Sequence, residues 1–131
     1  MKDYFGKVNR SDYQKRLVHL LNWASPRLRG SVRLDFKPCF GAVAGYADGK
    51  IFVSSGQFGV ALKLSQDELS KLFNEPGVKQ LKYFARGHVK KDYAILPPRI
   101  LSDRSCLREL INSSIKHVSS SSVSSGLSRR H

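Results

Sequence analysis

Acidic residues are scarce in this chain. Ten Asp and Glu stand against 23 Lys and Arg over 131 residues, a formal net charge of +13. A surplus of this size gathers anions around the protein and favours nucleic acid, an anionic membrane or an acidic protein as partner, while saying nothing about fold. Cysteine is nearly absent. Cys39 and Cys106 lie far apart and form no Cys-x-x-Cys, which excludes a zinc ribbon or a thioredoxin-type motif. No apolar stretch approaches the roughly 18 residues of a membrane helix. The opening Met1-Lys2-Asp3-Tyr4 has no apolar signal core. The chain is therefore expected to be cytoplasmic, with reduced thiols and no membrane contact. Catalytic motifs are missing too: there is no G-x-G-x-x-G, no phosphate-binding P-loop and no G-x-S-x-G elbow. His19, His88, His117 and His131 are scattered without the spacing of metal ligands. Asp12, Asp67, Glu68 and Asp103 fall at helix starts, where the helix dipole explains them, and do not pair for acid–base work. Cys39 reads as a small buried thiol in a strand. The expectation is a protein with no catalytic residues, no metal and no cofactor.

What remains is the material of one ordinary domain. A chain of this length buries roughly two-thirds of its unfolded surface and needs no staples. Its charge is uneven. Residues 1–36 carry eight basic and three acidic groups, 37–74 four and three, 75–102 six and two, and 103–131 five and two. The centre is nearly neutral and the excess lies on either side.

Ser11-Asp12-Tyr13-Gln14 has the form of a capping box. Tyr13, Leu17, Leu20, Leu21 and Ala24 follow at helical spacing, and Pro26 stops the helix, which spans about 12–25. Val32, Leu34 and Phe36 alternate with Arg33 and Asp35 as a half-buried strand. Lys37-Pro38 marks an edge, a bulge or a break in it. Cys39 to Ala47 reads as a continuing apolar strand. Asp48-Gly49 is the strongest hairpin signal, since a type I′ turn takes positive φ at both positions. Lys50–Ser54 returns, Gly56-Gln57 turns, and Phe58–Leu64 is the next strand. Ser65 to Glu68 forms a second capping box, with Leu64 and Leu69 as its staple and Leu69, Leu72 and Phe73 as the buried stripe. Weaker strands follow at Leu81–Phe84 and Asp92–Leu96, around Arg86-Gly87-His88. Ser102-Asp103 opens a last helix with Leu107, Leu110, Ile111 and Ile115 on one face. From residue 119 the chain is Ser-rich and reads as a disordered tail. The order α-β-β-β-β-α-β-β-α predicts an α+β fold: an antiparallel meander sheet of five to six strands packed with three helices, over residues 1–118, and a tail over 119–131.

The stretch Lys37-Pro38-Cys39-Phe40-Gly41, with Gly45-Tyr46, Asp48-Gly49 and Phe52, resembles the opening of the TfoX (Sxy) N-terminal domain family. Ala61–Leu64, Tyr83 with Arg86-Gly87, and Tyr93 with Pro97 resemble its later elements. The resemblance covers residues 11–118. It departs at Gly41-Ala42-Val43-Ala44-Gly45, where the family has Gly-Gly-Tyr-Gly, and at Lys91, where the family is apolar. It implies a stand-alone member, without the second helical domain of full-length competence regulators. The implied role is non-enzymatic regulation of transcription through a transcription factor or other protein, as a homodimer.

Phe40, Gly41, Gly45, Asp48 and Gly49 are the signature of that scaffold. Gly41 and Gly45 suggest either a bulge or close approach of a ligand. The sites for a partner are sought in the basic flanks: Arg27, Arg29, Arg33 and Lys37 around the first strand, and Arg86, Lys90, Lys91 and Arg99 around the last two. If these converge beside Tyr83, Phe84 and Tyr93 they form one positive face suited to single-stranded or duplex nucleic acid. The alternatives are a dispersed, solvated charge and an acidic protein partner.

Overall fold

Antiparallel strands with short connections leave only one face of a sheet for helices to cover when the helices enter at its ends. The computed structural model, which describes residues 10–26, 32–84 and 86–128 (the backbone alone for residue 10 and for 121–128), follows this plan. The elements run α1 Arg10–Ala24, β1 Leu34–Cys39, β2 Ala42–Ala47, β3 Lys50–Gly56, β4 Gly59–Lys63, α2 Gln66–Leu72, β5 Lys79–Leu81, β6 Lys90–Ile95, α3 Pro98–Leu101 and α4 Arg104–Ser128. The six strands form one antiparallel sheet in the order β1-β2-β3-β4-β6-β5. The expected α+β fold is thus present, with a fourth helix added. No helix among the described residues is long and apolar enough to cross a membrane.

Several boundaries differ from the sequence reading. Ser11 lies inside α1 rather than ahead of it. Of the edge, bulge or break expected at Lys37-Pro38, the edge is what is found, and the first strand continues through both residues. They lie in β1, an edge strand, where proline's missing N–H costs no ladder bond. The expected strand from Cys39 to Ala47 is instead cut by a two-residue turn at Phe40-Gly41, with φ of 49° and 80°. Asp48-Gly49 makes the matching turn, φ 49° and 81°, as its sequence predicts. β5 ends at Leu81, so Tyr83 and Phe84 lie off the sheet, and Lys90 and Lys91 belong to β6. Pro98 opens the extra helix α3, since its fixed φ suits a first helical position. Asp103 then accepts from the Cys106 N–H at 3.1 Å and caps α4. That helix runs past residue 118, where a tail was expected, as far as Ser128.

The four helices among the described residues meet one face of the sheet. Leu17 and Leu21 of α1, Leu69 of α2, Ile100 of α3 and Leu107, Ile111 and Ile115 of α4 share a cluster with Val43, Phe52, Val53, Val60, Leu62 and Ala94 of the strands. Two details hold the layers in place. β2 and β3 slip register between Gly45 and Tyr46, leaving Phe52 without an opposite residue. A Cβ on Gly45 would come 2.6 Å from Val53 Cγ1, so this bulge needs glycine. The fully buried Ser114 of α4 then donates to the carbonyls of Phe52 (3.0 Å) and Lys63 (2.6 Å), tying α4 to β3 and β4.

The arginines of the helical layer cap backbone ends. Arg104 Nε donates to Trp23 O at 2.8 Å and Arg108 Nε to Ala24 O at 2.7 Å, which satisfies the last carbonyls of α1. Arg16 donates to Ser55 Oγ and to the carbonyls of Gly56 and Gly59, clamping the β3–β4 turn. Burial pulls its pKa below the ordinary arginine value.

Replacing Ser114 by Ala removes the one hydroxyl proton that the Phe52 and Lys63 carbonyls share. Urea denaturation should show a loss of roughly 1–3 kcal/mol with an unchanged m-value.

Candidate binding face

Residues directly opposite in neighbouring strands share a face. One row on the side away from the helices reads Lys37, Ala44, Ser54, Ala61, Ile95 and Lys79, from one edge of the sheet to the other. Its ends are exposed lysines and its middle is made of small side chains. The small side chains leave room above the sheet, and the connection after β5 fills it. Tyr83 lies over this space and donates its hydroxyl to the fully buried Ser54 Oγ at 3.0 Å. Leu81, Ala61 and Tyr93 form a second small core beneath it, with Phe58, Tyr83 and Ile95 packed against them.

Two further rings meet Tyr83, and a third joins through one of them. Phe58 meets it edge-on, centroids 5.6 Å apart. Phe40, from the β1–β2 turn, lies 5.3 Å away. Phe84 meets Phe40 at 5.7 Å with an interplanar angle of 70°. Phe58 and Tyr83 are half-buried, but Phe40 is 65% exposed and Phe84 57%. Phe40 is exposed at a backbone conformation that disfavours it. Its φ of 49° is left-handed, where a residue with a Cβ loses roughly 1–2 kcal/mol. Neither burial nor backbone preference explains a phenylalanine there.

The charges sort themselves around this face. Lys37 Nζ lies 5.2 Å from the Tyr46 ring centroid, a cation–π contact one row from the ring cluster. Arg86 is exposed two residues beyond Phe84, and it alone among the described arginine side chains has no bonded or ring partner. Lys90 is exposed and pairs across the ladder with Leu81, and Lys91 is exposed beside it. Lys79 and Lys82, which the sequence reading did not single out, are exposed on β5 and just after it. Other candidates lie elsewhere. Arg33 sits next to the Asp48 turn, at the far end of the β1–β2 hairpin, and pairs with Asp35 at 3.3 Å. Arg99 is held by Glu75 (3.2 Å) and the Pro76 carbonyl (2.8 Å) at the start of α3. Arg27 and Arg29 lie outside the described residues. Tyr93 is buried, not a surface ring. Gly45 serves the bulge on the helix side, and Gly41, Asp48 and Gly49 serve turns.

The carboxylates of the neighbouring strands are neutralised. Asp35 is held by Arg33, and Asp92 lies 3.5 Å from Lys63 Nζ. Among the described residues no group of three or more His, Cys, Asp or Glu could hold a metal. Both cysteines are free, and burial pushes the Cys106 thiol above its ordinary pKa.

Burial pushes the Tyr83 hydroxyl up from 10.0 to about 12, against the lowering effect of its bond with Ser54 and with help from Cys39 and Tyr46. Burial moves Tyr93 upward as well. Both phenols are therefore favoured as neutral groups in the folded state. That stability is fully present below pH 10, the unfolded value, and is lost as pH climbs toward about 12. Urea midpoints should fall between pH 10 and pH 12, and fall less in Tyr83→Phe.

No family model matches the chain, and neither curated proteins nor solved structures yield a match. The case for function rests on the geometry of this face.

Proposed function

We propose that the chain is a non-enzymatic binding module that engages nucleic acid through the helix-free face of its sheet. The observation that carries this reading is the exposed Phe40–Phe84 pair, 5.7 Å apart, with Arg86 two residues away and lysines at both ends of the row beneath. Rings beside free cations suit bases beside phosphates. The buried hydroxyls are occupied structurally: Ser54 by Tyr83, Ser55 by Arg16, and Ser114 by two carbonyls. That arrangement favours recognition over nucleophilic chemistry.

A second reading follows from the resemblance to the TfoX N-terminal domain: regulation of transcription through contact with a protein, such as a transcription factor. The same ring pair favours it, because aromatic side chains are enriched in the cores of protein interfaces. Charge separates the two readings. A face whose free groups are cations and whose carboxylates are already paired is built to meet an anion.

A mixed-sequence oligonucleotide titrated into the protein should bind at low salt and weaken linearly in a plot of log K against log salt. Lys37→Gln and Arg86→Gln should each reduce the slope by about 1. Arg99→Gln, at the start of α3, should leave it unchanged. Failure to bind at low salt, together with a protein partner retained from nuclease-treated lysate, would favour the second reading.

A further inference from the structure

We infer that the nucleic acid taken by this face is single-stranded, with one base on Phe40 and another on Phe84. The inference rests on the nucleic-acid reading above and narrows it. Three observations lead to it.

The first is the angle between the rings. Phe40 and Phe84 are inclined by 70°. A base stacked on each must be inclined to its neighbour by a similar angle. Bases in a duplex lie parallel and offer their edges, not their faces, to a protein in the groove. Only a strand whose bases are splayed can present two faces to two such rings.

The second is the backbone under Phe40. Turns with positive φ at both central positions favour Asn-Gly or Asp-Gly. The chain uses Asp48-Gly49 at one such turn and Phe40-Gly41 at the other, with φ values that agree within a degree. The same backbone thus carries a preferred residue at one hairpin and a disfavoured, exposed aromatic at the other. Strained positions of this kind concentrate where a side chain serves binding.

The third is the support of the rings and the placing of charge. Phe40 rests against Tyr83 at 5.3 Å, and Tyr83 is fixed by its bond to Ser54 and by Phe58. The exposed rings are therefore backed by a held layer, which lowers the ordering cost of stacking. Lys37 precedes Phe40 by three residues and Arg86 follows Phe84 by two, and Lys79, Lys82 and Lys90 lie along the β5–β6 side. These cations can follow a phosphate backbone past both rings.

Phe40→Asn separates the proposal from folding. It converts the turn to Asn-Gly, so the hairpin should hold as well as before or better, while the ring is lost. Fluorescence anisotropy with labelled dT and rU strands of about 12 nucleotides, and with a duplex of the same length, reads the effect at low salt. Wild-type protein should bind the single strands at least about tenfold more tightly than the duplex. Phe40→Asn and Phe84→Ala should each weaken single-strand binding roughly five- to hundredfold, without lowering the melting temperature and with little change in the salt slope. The dT and rU arms tell whether the ribose hydroxyl matters. Equal binding of strand and duplex, untouched by either ring variant, overturns the single-strand inference and leaves the nucleic-acid reading intact. Binding of neither form at low salt overturns the reading itself.

Discussion

The four helices among the described residues bury their apolar side chains against the same face of the sheet, in one cluster that spans Leu17 of α1 and Ile111 of α4. A six-stranded antiparallel sheet covered on one side must solve the other side with what its own strands and turns provide. Here the solution is local. Small residues at Ala44, Ser54 and Ala61 leave a shallow bed, and the connection after β5 lays Tyr83 into it. The face is thus partly covered, enough to keep the middle strands dry, and it ends in two rings that remain in solvent. One-sided packing is the constraint from which the exposed ring pair follows.

The two hairpin turns show how far sequence alone reaches. Asp48-Gly49 is legible because both residues suit positive φ. Phe40-Gly41 adopts the same geometry, yet phenylalanine between Cys39 and Gly41 looks like the interior of a strand. Its identity does not follow from what the turn needs. Tyr83 and Phe84 were named beside the basic flanks, but their place off the sheet was hidden for a related reason. Alternation around Leu81 suggests a strand, but the hydroxyl of Tyr83 finds Ser54, 29 residues earlier, and that bond draws the chain over the sheet. The first strand, the α2 capping box and the buried face of α4 were readable because each follows from neighbours within one or two turns of chain. Ser65 does accept from the Glu68 N–H, with Leu64 and Leu69 buried as a staple. Helix α3 was missed because four residues are too few to show a period. The continuation of α4 through its serines is set by no local preference for helix.

The basic surplus was legible as a number and not as a surface. Arg33 and Arg99 looked equivalent to Lys37 and Arg86 along the chain. The structure commits the first pair to Asp35, Glu75 and the Pro76 carbonyl. The partner of Arg99 lies 24 residues away, beyond what local pattern reveals. Such exposed pairs contribute little stability, so their effect is to remove two cations from the pool free to meet a ligand.

That division has a physical logic. A guanidinium offers five donors in a planar fork and suits carbonyl groups at the ends of helices and strands. Arg16, Arg104 and Arg108 are used in this way, each donating to backbone carbonyls of another element. An ammonium is a compact, strongly hydrated charge on a flexible stem, and it remains in solvent along the open face as Lys37, Lys79, Lys82 and Lys90. The net charge of +13 is unchanged by these bonds, but the donors of Arg16, Arg104 and Arg108 are committed to backbone carbonyls. Among the described side chains, what remains free is a set of lysines and one arginine, Arg86, placed two residues from an exposed ring. The open face thus carries both kinds of group: exposed lysines at the two ends of the row from Lys37 to Lys79, and the Phe40 and Phe84 rings beside it, in the β1–β2 turn and after β5.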